Sequence, residues 1–463
     1  MAYRQAAAAP QCTKAYTGRR QPTPERPSLK PLSTTLHHVT LFLREHAVLI
    51  VAAVAAAASA LAVPPDEAYL GYFDWKTLGC LFCVLAVASA LRLMGAFDRA
   101  ARAVIGRCQS PRPLALALVL TTAGLSCVAT NDMALIMMLP LSAATLIGAG
   151  HARLVAPVFV LQSLAANLCG MIVPFGNPQN LYLYSYYGLH LDDFLHTMAL
   201  PFALSTAGVI MGTWWLCGRP DNSGARTATI NEAQRVIGAD KRAWKGERTG
   251  EGEGPEGLEA ARHSSGRNDT RKLAAPMPLS RRRLVAYGLL LVLTLLAVFR
   301  VVPIAAAVDL VAAPLAALDR RALVAVDWGL LATFACFFVF SGNMARVPEV
   351  SAWLSPLMAD HGLLVSAGLS QIISNVPAAV LLSHFTGAWQ PLLIGVNIGG
   401  AGTLVGSLAS LITLQHFTSV RKVFPQTAAL PELSTSRFLV LFSVLNFAFL
   451  GILLIACGAA PLF

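Results

Sequence analysis

The sequence predicts an all-α polytopic membrane protein with about 9–11 transmembrane segments, and three observations support this prediction. Hydrophobic residues make up 56% of the 463 residues and charged residues 13%, whereas soluble domains carry about 25% charged residues. The charges are concentrated in a few blocks. Between these blocks lie long apolar runs, most of them able to span a bilayer as a helix.

The net charge of +11 at pH 7 does not point to a nucleic-acid partner, because the basic residues lie in connectors between apolar runs. Positive residues collect on the cytoplasmic side of membrane proteins. The lipid bilayer is therefore the expected partner. We expect a multi-pass membrane protein with its N-terminus in the cytoplasm.

Composition divides the chain into four parts. Residues 1–45 are predicted to be a disordered cytoplasmic tail, although their scarcity of acids also fits an organellar transit peptide. Residues 46–217 are predicted to form a first transmembrane repeat, and residues 284–463 a second, inverted one. The polar, Gly-rich residues 218–283 between them are predicted to be a disordered cytoplasmic linker.

Apolar runs place the individual segments. Single spans are expected at about 47–63, 75–94, 194–217, 284–301, 304–318, 328–343 and 437–458. The amphipathic stretch 97–108 is expected to lie along the membrane interface. Two hairpins are expected at about 113–150 and 361–388, and two broken spans at about 154–187 and 391–417.

The first hairpin, with TTAGLSCVATNDMALIMMLPL at its centre, carries Thr130, Asn131 and Asp132 in an apolar segment. A carboxylate at membrane depth is costly and marks a functional site. Residues 113–150 are expected to leave from and return to one basic side, which fits either two crossings or a re-entrant hairpin. The polar tip favours the hairpin, because non-helical backbone at membrane depth is tolerated where it lines a cavity. The second hairpin, LSQIISNVPAAVLL, carries Ser374 and Asn375 in the same setting.

The two halves of the chain match at corresponding polar positions. The matched pairs are Asn131 with Asn375, Asn167 with Asn397, Gly176 with Gly406, Asn177 with Ser407, and Asn180 with Ser410. The span at 284–301 adds an odd crossing, so the second copy is expected to be inverted. Inverted repeats with two re-entrant hairpins and two broken helices are typical of secondary transporters.

GNPQNLYLYS, TNDMALIMMLPL, SNVPAAVLL and NIGGAGTLVGSLASLI resemble motifs of the ion transporter superfamily. This group includes citrate-transporter-like and divalent-anion/sodium symporters, arsenite-efflux permeases and D-type sodium/proton antiporters. The likeness covers about residues 47–458 without the linker, and bacterial permeases assigned to anion transport resemble the chain most. The anion/sodium symporters have Ser-Asn-Thr at each tip, whereas the third position here is Asp132 or Val376. The T-N-D form is more similar to the arsenite and antiporter branches. The resemblance suggests a homodimer and a location in the bacterial plasma (inner) membrane.

Substrate and coupling ion must meet where bare ions are costly, and exposed helix ends solve this problem. N-terminal helix ends offer N–H groups to an anion, and unwound carbonyl groups coordinate a cation. The expected substrate and ion ligands are Thr130, Asn131, Asp132, Asn167, Asn177, Gln179, Asn180, Ser374, Asn375, Asn397, Thr403 and Ser407. Three of them are candidate Na⁺ ligands: Asp132, Asn131 and Asn375. No cofactor is expected beyond the coupling ion.

Simpler roles remain open for these residues. If the Asp132 carboxylate is isolated, it would suit a proton carrier; if other oxygen ligands lie next to it, it would suit sodium. Its third possible role is only to cap the following helix. The asparagines at the tips would serve only helix packing. The sequence Asn177-Pro178-Gln179-Asn180 would be a kink without ligands.

The expected function is secondary active transport of a small anion, either citrate- or dicarboxylate-like or an inorganic oxyanion, coupled to Na⁺ or H⁺ by alternating access. The alternatives are a Na⁺/H⁺ antiporter and an arsenite efflux permease. The sequence lacks the G-x-x-x-x-G-K-[ST] motif that ATP-driven transport would require. It also lacks H-E-x-x-H and a second buried acid, which disfavours a membrane enzyme. A channel would conduct without coupling.

Overall fold

The structure, a computed structural model, describes residues 47–106, 108, 110–218, 281–424 and 430–460, and all its regular elements in these ranges are helices. The predicted tail 1–45 and nearly all of the predicted linker 218–283 lie outside the described residues. The α-helices are α1 (Ala47–Ala62), α2 (Trp75–Leu93), α3 (Ala96–Ile105), α4 (Pro111–Ala129), α5 (Asn131–Gly148), α6 (Val155–Leu164), α7 (Pro178–Tyr186), α8 (Leu191–Leu216), α9 (Arg281–Val298), α10 (Ile304–Leu318), α11 (Arg320–Val324), α12 (Trp328–Ala345), α13 (Pro348–Ile373), α14 (Asn375–Leu382), α15 (Trp389–Ile398), α16 (Leu408–Val423) and α17 (Thr435–Ala459).

Seven helical stretches of the described chain are long and apolar enough to cross a membrane: α2, α4, α5, Ala152–Ile172, α8, α12 and α17. Shorter apolar helices lie at Val48–Ala62, Ile304–Leu318 and Asn375–Phe385. Large apolar side chains on the outer helices are exposed, such as Trp215 on α8 and Ile455 on α17. Such exposure suits contact with lipid. The prediction of an all-α polytopic membrane protein is confirmed.

Corresponding aspartates begin α2 and α12. Oδ1 of Asp74 accepts hydrogen bonds from the backbone N–H groups of Lys76 and Thr77, at 3.0 and 3.1 Å. Oδ1 of Asp327 accepts from the N–H group of Leu330 at 2.9 Å. Both carboxylates therefore satisfy N–H groups that the first helical turn leaves without partners.

The first hairpin consists of α4 and α5, which pack against each other and join at Thr130. The tip is inside the protein, since Thr130 and Asn131 are each only 4% exposed. A loop between two full crossings would lie at the water surface. The buried tip therefore fits the re-entrant hairpin rather than two crossings.

A helical segment that was not predicted from the sequence precedes the second hairpin. Helix α13 is bent at His361, whose φ of −136° is not helical, so that Pro348–Asp360 precedes the hairpin arm. Leu354 and Met358 on this segment are buried, whereas Trp353 is exposed. The segment occupies the place in the second repeat that α3 has in the first. Helix α9 also differs from the prediction, beginning at Arg281 rather than at 284.

A short 3₁₀ helix, Glu67–Tyr72, connects α1 to α2 and is fastened to the end of α12. The Arg346 guanidinium binds both oxygens of the Asp66 carboxylate, at 3.0 and 2.7 Å. It also donates to the Tyr72 hydroxyl at 2.9 Å. The hydrogen bonds from Arg346 lower the pKa of the Asp66 carboxyl below its usual value.

The Asp66–Arg346 pair predicts a pH-dependent contribution to stability. Because folding lowers the pKa of Asp66, the contribution is complete above the ordinary pKa of aspartate, about 3.9, and is lost as the pH falls through the lowered pKa. The melting temperature of Asp66→Asn should lie slightly below that of the wild type at pH 7, since exposed pairs contribute little. The difference should vanish near the acid limit of folding. A difference that grows on acidification would contradict the assignment.

Candidate functional site

Thr130 and Ser374, the tip residues of the two hairpins, share a strained backbone. Their φ and ψ angles are 68° and 155° for Thr130, and 76° and 155° for Ser374. Residues other than glycine rarely adopt this conformation, which costs on the order of 1–3 kcal/mol and concentrates at functional sites. Each tip is held by the residue after it. The Asn131 N–H group donates to the carbonyl of Gly176 at 3.2 Å, and the Asn375 N–H group to that of Gly406 at 3.0 Å.

Each carbonyl that holds a tip lies in the interruption of a broken span. The first span passes from α6 through a π-helical segment, Ala165–Cys169, and a 3₁₀ turn, and resumes as α7 after Asn177. The second stops with α15 at Ile398 and resumes as α16 after Ser407. A Cβ atom on Gly176 would overlap the carbonyl oxygen of Gly170. The backbone can therefore fold this closely only if residue 176 is glycine.

Side-chain amides connect the two interruptions. Asn131 Nδ2 donates to Asn167 Oδ1 at 3.1 Å, and Asn167 Nδ2 donates to Ser407 Oγ at 2.8 Å. Asn177 Nδ2 donates to the backbone carbonyl of Asn167 at 3.1 Å and lies 3.4 Å from Asn397 Oδ1. All of these residues are at least 96% buried. The hydrogen bonds therefore replace water for polar groups deep in the protein.

Asn397 is the centre of this network. Its Oδ1 atom accepts from Asn177 Nδ2 and from Gln179 Nε2, each at 3.4 Å. Its Nδ2 atom donates to Asn180 Oδ1 at 2.6 Å and to the Leu393 carbonyl at 2.7 Å. The polar residues of the first interruption thus converge on a single amide of the second repeat. The simpler interpretation, in which the sequence from Asn177 to Asn180 is only a kink, does not account for these contacts.

Contacts between the repeats are reciprocal. Asn167 of the first repeat bonds Ser407 of the second, and Asn397, the counterpart of Asn167, bonds Asn177, the counterpart of Ser407. When a two-fold axis relates two copies, a contact from the first copy to the second occurs again from the second copy to the first. In the order of the chain, helix α9 comes between the two copies as an additional segment. The contacts fit the inverted repeat predicted from the sequence.

The site presents helix N-termini and unused oxygen atoms. Helices α5, α14, α7 and α16 begin at Asn131, Asn375, Pro178 and Leu408, at the tips and interruptions. Such N-termini carry partial positive charge and free N–H groups, which suit an anion. The buried oxygens Asn177 Oδ1 and Gln179 Oε1 have no hydrogen-bond donor among the described residues. Amide oxygens without donors suit a cation.

Seven of the twelve predicted ligands form one hydrogen-bonded network, in which the backbone carbonyl of Asn167 links two groups of side chains: Asn131, Asn167 and Ser407, and Asn177, Gln179, Asn180 and Asn397. Asn375 lies beside this network. Its backbone N–H group donates to the carbonyl of Gly406, the residue before Ser407, and its Nδ2 atom is close to Gly400. Thr130 and Ser374 shape the tips. Thr403 instead bonds Gln371 through both its N–H and hydroxyl groups, at 2.8 and 2.9 Å.

Asp132 is not part of the amide network. It is the second residue of α5, half-buried, and its Oδ1 atom is buried without a hydrogen-bond donor among the described residues. Its backbone N–H group bonds Asn131 Oδ1 at 2.9 Å, so the asparagine rather than the aspartate satisfies this N–H. The interpretation of Asp132 as only a helix cap finds no hydrogen bond to support it.

Two glutamines with structural roles are absent from the predicted ligands. Gln371 Nε2 donates to the carbonyls of Gly399 and Ala401, at 2.7 and 3.1 Å, and so holds the unwound second span. Gln162 Nε2 donates to Thr122 Oγ1 and Ser142 Oγ, each at 2.8 Å, and joins α6 to the first hairpin. A polar residue in an otherwise apolar helix was the available signal in both cases.

Comparison with known proteins assigns the family. A family model described as CitMHS, citrate transporter, matches residues 39–391, which include both hairpins and the first interruption. The chain belongs to the citrate transporter family. The sequence-based recognition of an ion transporter is therefore confirmed. The chain is a multi-pass membrane transporter of the anion class.

Proteins from several microorganisms are similar in sequence to this citrate transporter family member. The inner membrane protein YbiR of Escherichia coli (strain K12) is 29% identical over 349 residues, which cover 74% of the chain and 80% of YbiR. An uncharacterized transporter of Methanocaldococcus jannaschii is 27% identical over 346 residues, 74% of the chain and 81% of that protein. An uncharacterized transporter of Mycobacterium tuberculosis (strain H37Rv) is 24% identical over 380 residues, which cover 74% of the chain and 78% of that protein.

Proposed function

We propose that the protein is a secondary active symporter that carries a small carboxylate anion together with Na⁺ or H⁺ by alternating access. The family description names citrate, and a di- or tricarboxylate is the substrate class that we propose. One observation carries the proposal: buried amide and hydroxyl groups join the first hairpin tip to both interrupted spans, and the second tip is tied to the second of these spans by the backbone bond from Asn375 to Gly406.

The chemistry of this network supports an anionic substrate. Its side chains are uncharged, so the positive potential at the site comes from the helix N-termini. A carboxylate substrate would take hydrogen bonds from N–H groups and from Asn and Ser side chains. Neutral donors bind an anion without the strong attraction of a lysine or arginine, which would slow its release. This balance suits a carrier that must bind and release its substrate in every cycle.

The unused oxygen atoms support a coupling cation. Asn177 Oδ1 and Gln179 Oε1 are acceptors without donors in the amide network, and Asp132 Oδ1 is a buried carboxylate oxygen at the adjoining tip. A bound Na⁺ would satisfy such oxygens and partly neutralise the anion next to it. A proton on Asp132 would serve the same purpose. We propose that Asp132 senses the coupling ion, whichever of the two it is.

A Na⁺/H⁺ antiporter is the second candidate, and the asymmetry of the tips favours it. The position of Asp132 in the first repeat is occupied by Val376 in the second. A single ionisable group that binds either Na⁺ or a proton is sufficient for antiport. This candidate would need no anionic substrate.

Replacement of Asp132 by asparagine tests the proposal and separates the two candidates. In liposomes with the purified protein, gradient-driven uptake of labelled citrate or succinate should fall at least tenfold in Asp132→Asn, because the variant can no longer carry the coupling charge. Asp192→Asn is the control, since Asp192 is an exposed residue at the start of α8 and should transport normally.

The choice of gradient identifies the coupling ion. Uptake driven by a sodium gradient at equal pH would identify Na⁺, and uptake driven only by a pH gradient would identify H⁺. Sodium-dependent proton release without uptake of any carboxylate would assign the antiporter instead. Equal gradient-driven uptake by the wild type and Asp132→Asn would remove Asp132 from the coupling site.

A further inference from the structure

A cavity lies where α2 begins, α7 ends and α9 turns into α10, and none of its lining residues belongs to the amide network. Its volume is about 180 Å³. Its wall is mostly apolar, with Val302 and Ile304 from the α9–α10 turn. The basic residues Lys76 and Arg300 also line it, and its lining includes no acidic residue.

Neither positive charge is neutralised by a carboxylate. Arg300 Nη2 donates to the backbone carbonyl of Tyr184 at 2.7 Å, and the guanidinium carbon lies 5.3 Å from the centre of the Tyr184 ring. Among the described residues, Arg346 forms an ion pair with Asp66, whereas neither Lys76 nor Arg300 pairs with an acid. Both residues are exposed, so water screens part of their mutual repulsion, and an anion between them would remove it.

The backbone of Arg300 is strained. Its φ of 62° makes it the third non-glycine residue of the described chain with a positive φ, after the two tip residues. Glycine would adopt this conformation without cost, so the turn itself does not favour arginine. The N–H groups of Arg300 and Val301 donate to the carbonyls of Ala297 and Leu296, at 3.0 and 2.9 Å, so this φ ends helix α9. The same turn places the Arg300 guanidinium at the cavity.

The position of the cavity indicates the kind of anion. Lys76 and Arg300 lie at helix ends, the level of lipid head groups in a membrane protein. Each of these two residues has an exposed apolar neighbour in the chain: Trp75, before Lys76, is 65% exposed, and Val301, after Arg300, is 68% exposed. A soluble oxyanion would gain nothing from these apolar surfaces. A phospholipid would use both parts.

We propose that this cavity binds the head group of an anionic phospholipid. The phosphate lies between Lys76 and Arg300, and the acyl chains contact the exposed apolar side chains of Trp75 and Val301. Basic pockets between membrane helices bind anionic lipid head groups by the same chemistry. The site is separate from the proposed transport site, so the lipid acts on the stability of the α2, α9 and α10 assembly rather than as cargo.

The test uses delipidated full-length protein in detergent, with the melting temperature measured against added lipid. Phosphatidylglycerol should raise the melting temperature of the wild type by several degrees, and phosphatidylcholine should not. In Lys76→Gln/Arg300→Gly, the concentration for half of this effect should rise at least tenfold. Glycine suits the positive φ of residue 300, so this variant should fold without lipid.

The control removes the same charge elsewhere. Arg320→Gln/Arg437→Gln changes two other exposed arginines and should keep the phosphatidylglycerol effect. Loss of the effect in this control would show general electrostatic binding and overturn the proposal, as would a full effect in the Lys76/Arg300 variant. Glycerol 3-phosphate is the third arm. Stabilisation by it equal to that by phosphatidylglycerol would assign a soluble anion in place of the lipid.

Discussion

Replacement of Asn397 by leucine is expected to abolish transport and to lower stability by several kcal/mol. Leucine has a similar size but makes no hydrogen bonds, so the buried polar groups of Asn177, Gln179 and Asn180 lose their contacts with residue 397. Each buried polar group left without a partner costs about 1–3 kcal/mol. The measurements are carboxylate uptake in liposomes and the melting temperature in detergent.

Asn446 provides the matched control for this prediction. It is equally buried, but its Nδ2 atom makes one local bond, to the Phe442 carbonyl at 2.9 Å, and its Oδ1 atom has no partner among the described residues. Asn446→Leu should therefore leave transport intact and stability unchanged or higher. If Asn397→Leu transports normally, or if both variants lose stability equally, the network around Asn397 is not required.

Replacement of Gly176 by alanine is expected to give the second large effect. The added Cβ would overlap the Gly170 carbonyl oxygen and lie 3.0 Å from Cγ2 of Val173. Because the first of these atoms belongs to the backbone, the chain must move, and the hydrogen bond from Asn131 to Gly176 is lengthened. Overpacking of this kind costs about 1–3 kcal/mol, occasionally more. We expect a lower melting temperature and uptake below a tenth of the wild-type rate.

Gly124 in α4 is the matched glycine. An added Cβ there meets no atom within 4 Å, and alanine is a better helix former than glycine by about 1 kcal/mol. Gly124→Ala should therefore be as stable as the wild type or more so, with normal uptake. Wild-type stability in Gly176→Ala would mean that the interruption can open without loss, contrary to the close packing at Gly170.

Much of the site could be predicted because its polar residues interrupt apolar runs. Asn131 and Asn375, or Asn167 and Asn397, are visible as matched positions in the sequence, and the structure brings the repeats together through them. The pairing itself could not be predicted. That three polar residues of the first interruption converge on Asn397 depends on how the unwound backbone turns, and no periodic pattern encodes that path.

Residues that bind backbone groups were the hardest to predict. Gln371 bonds carbonyls that are free only because the second span unwinds between Ile398 and Ser407. Its role is therefore absent from any regular helix. The segment Pro348–Asp360 was missed for a different reason. Its buried residues, Leu354 and Met358, are too few to give a clear helical pattern beside the exposed Trp353.

The hydrogen bonds at the centre limit the ways in which the protein can move. Each tip is tied to the span of its own repeat, through Gly176 and Gly406, and the two spans are tied to each other through Asn167 and Asn397. A hinge between the two repeats would break all the bonds that cross between them. If both hairpins and both broken spans moved together as one rigid piece, all of these hydrogen bonds would remain intact. The sliding surface would then lie at the outer boundary of this piece, against neighbouring helices such as α2 and α12.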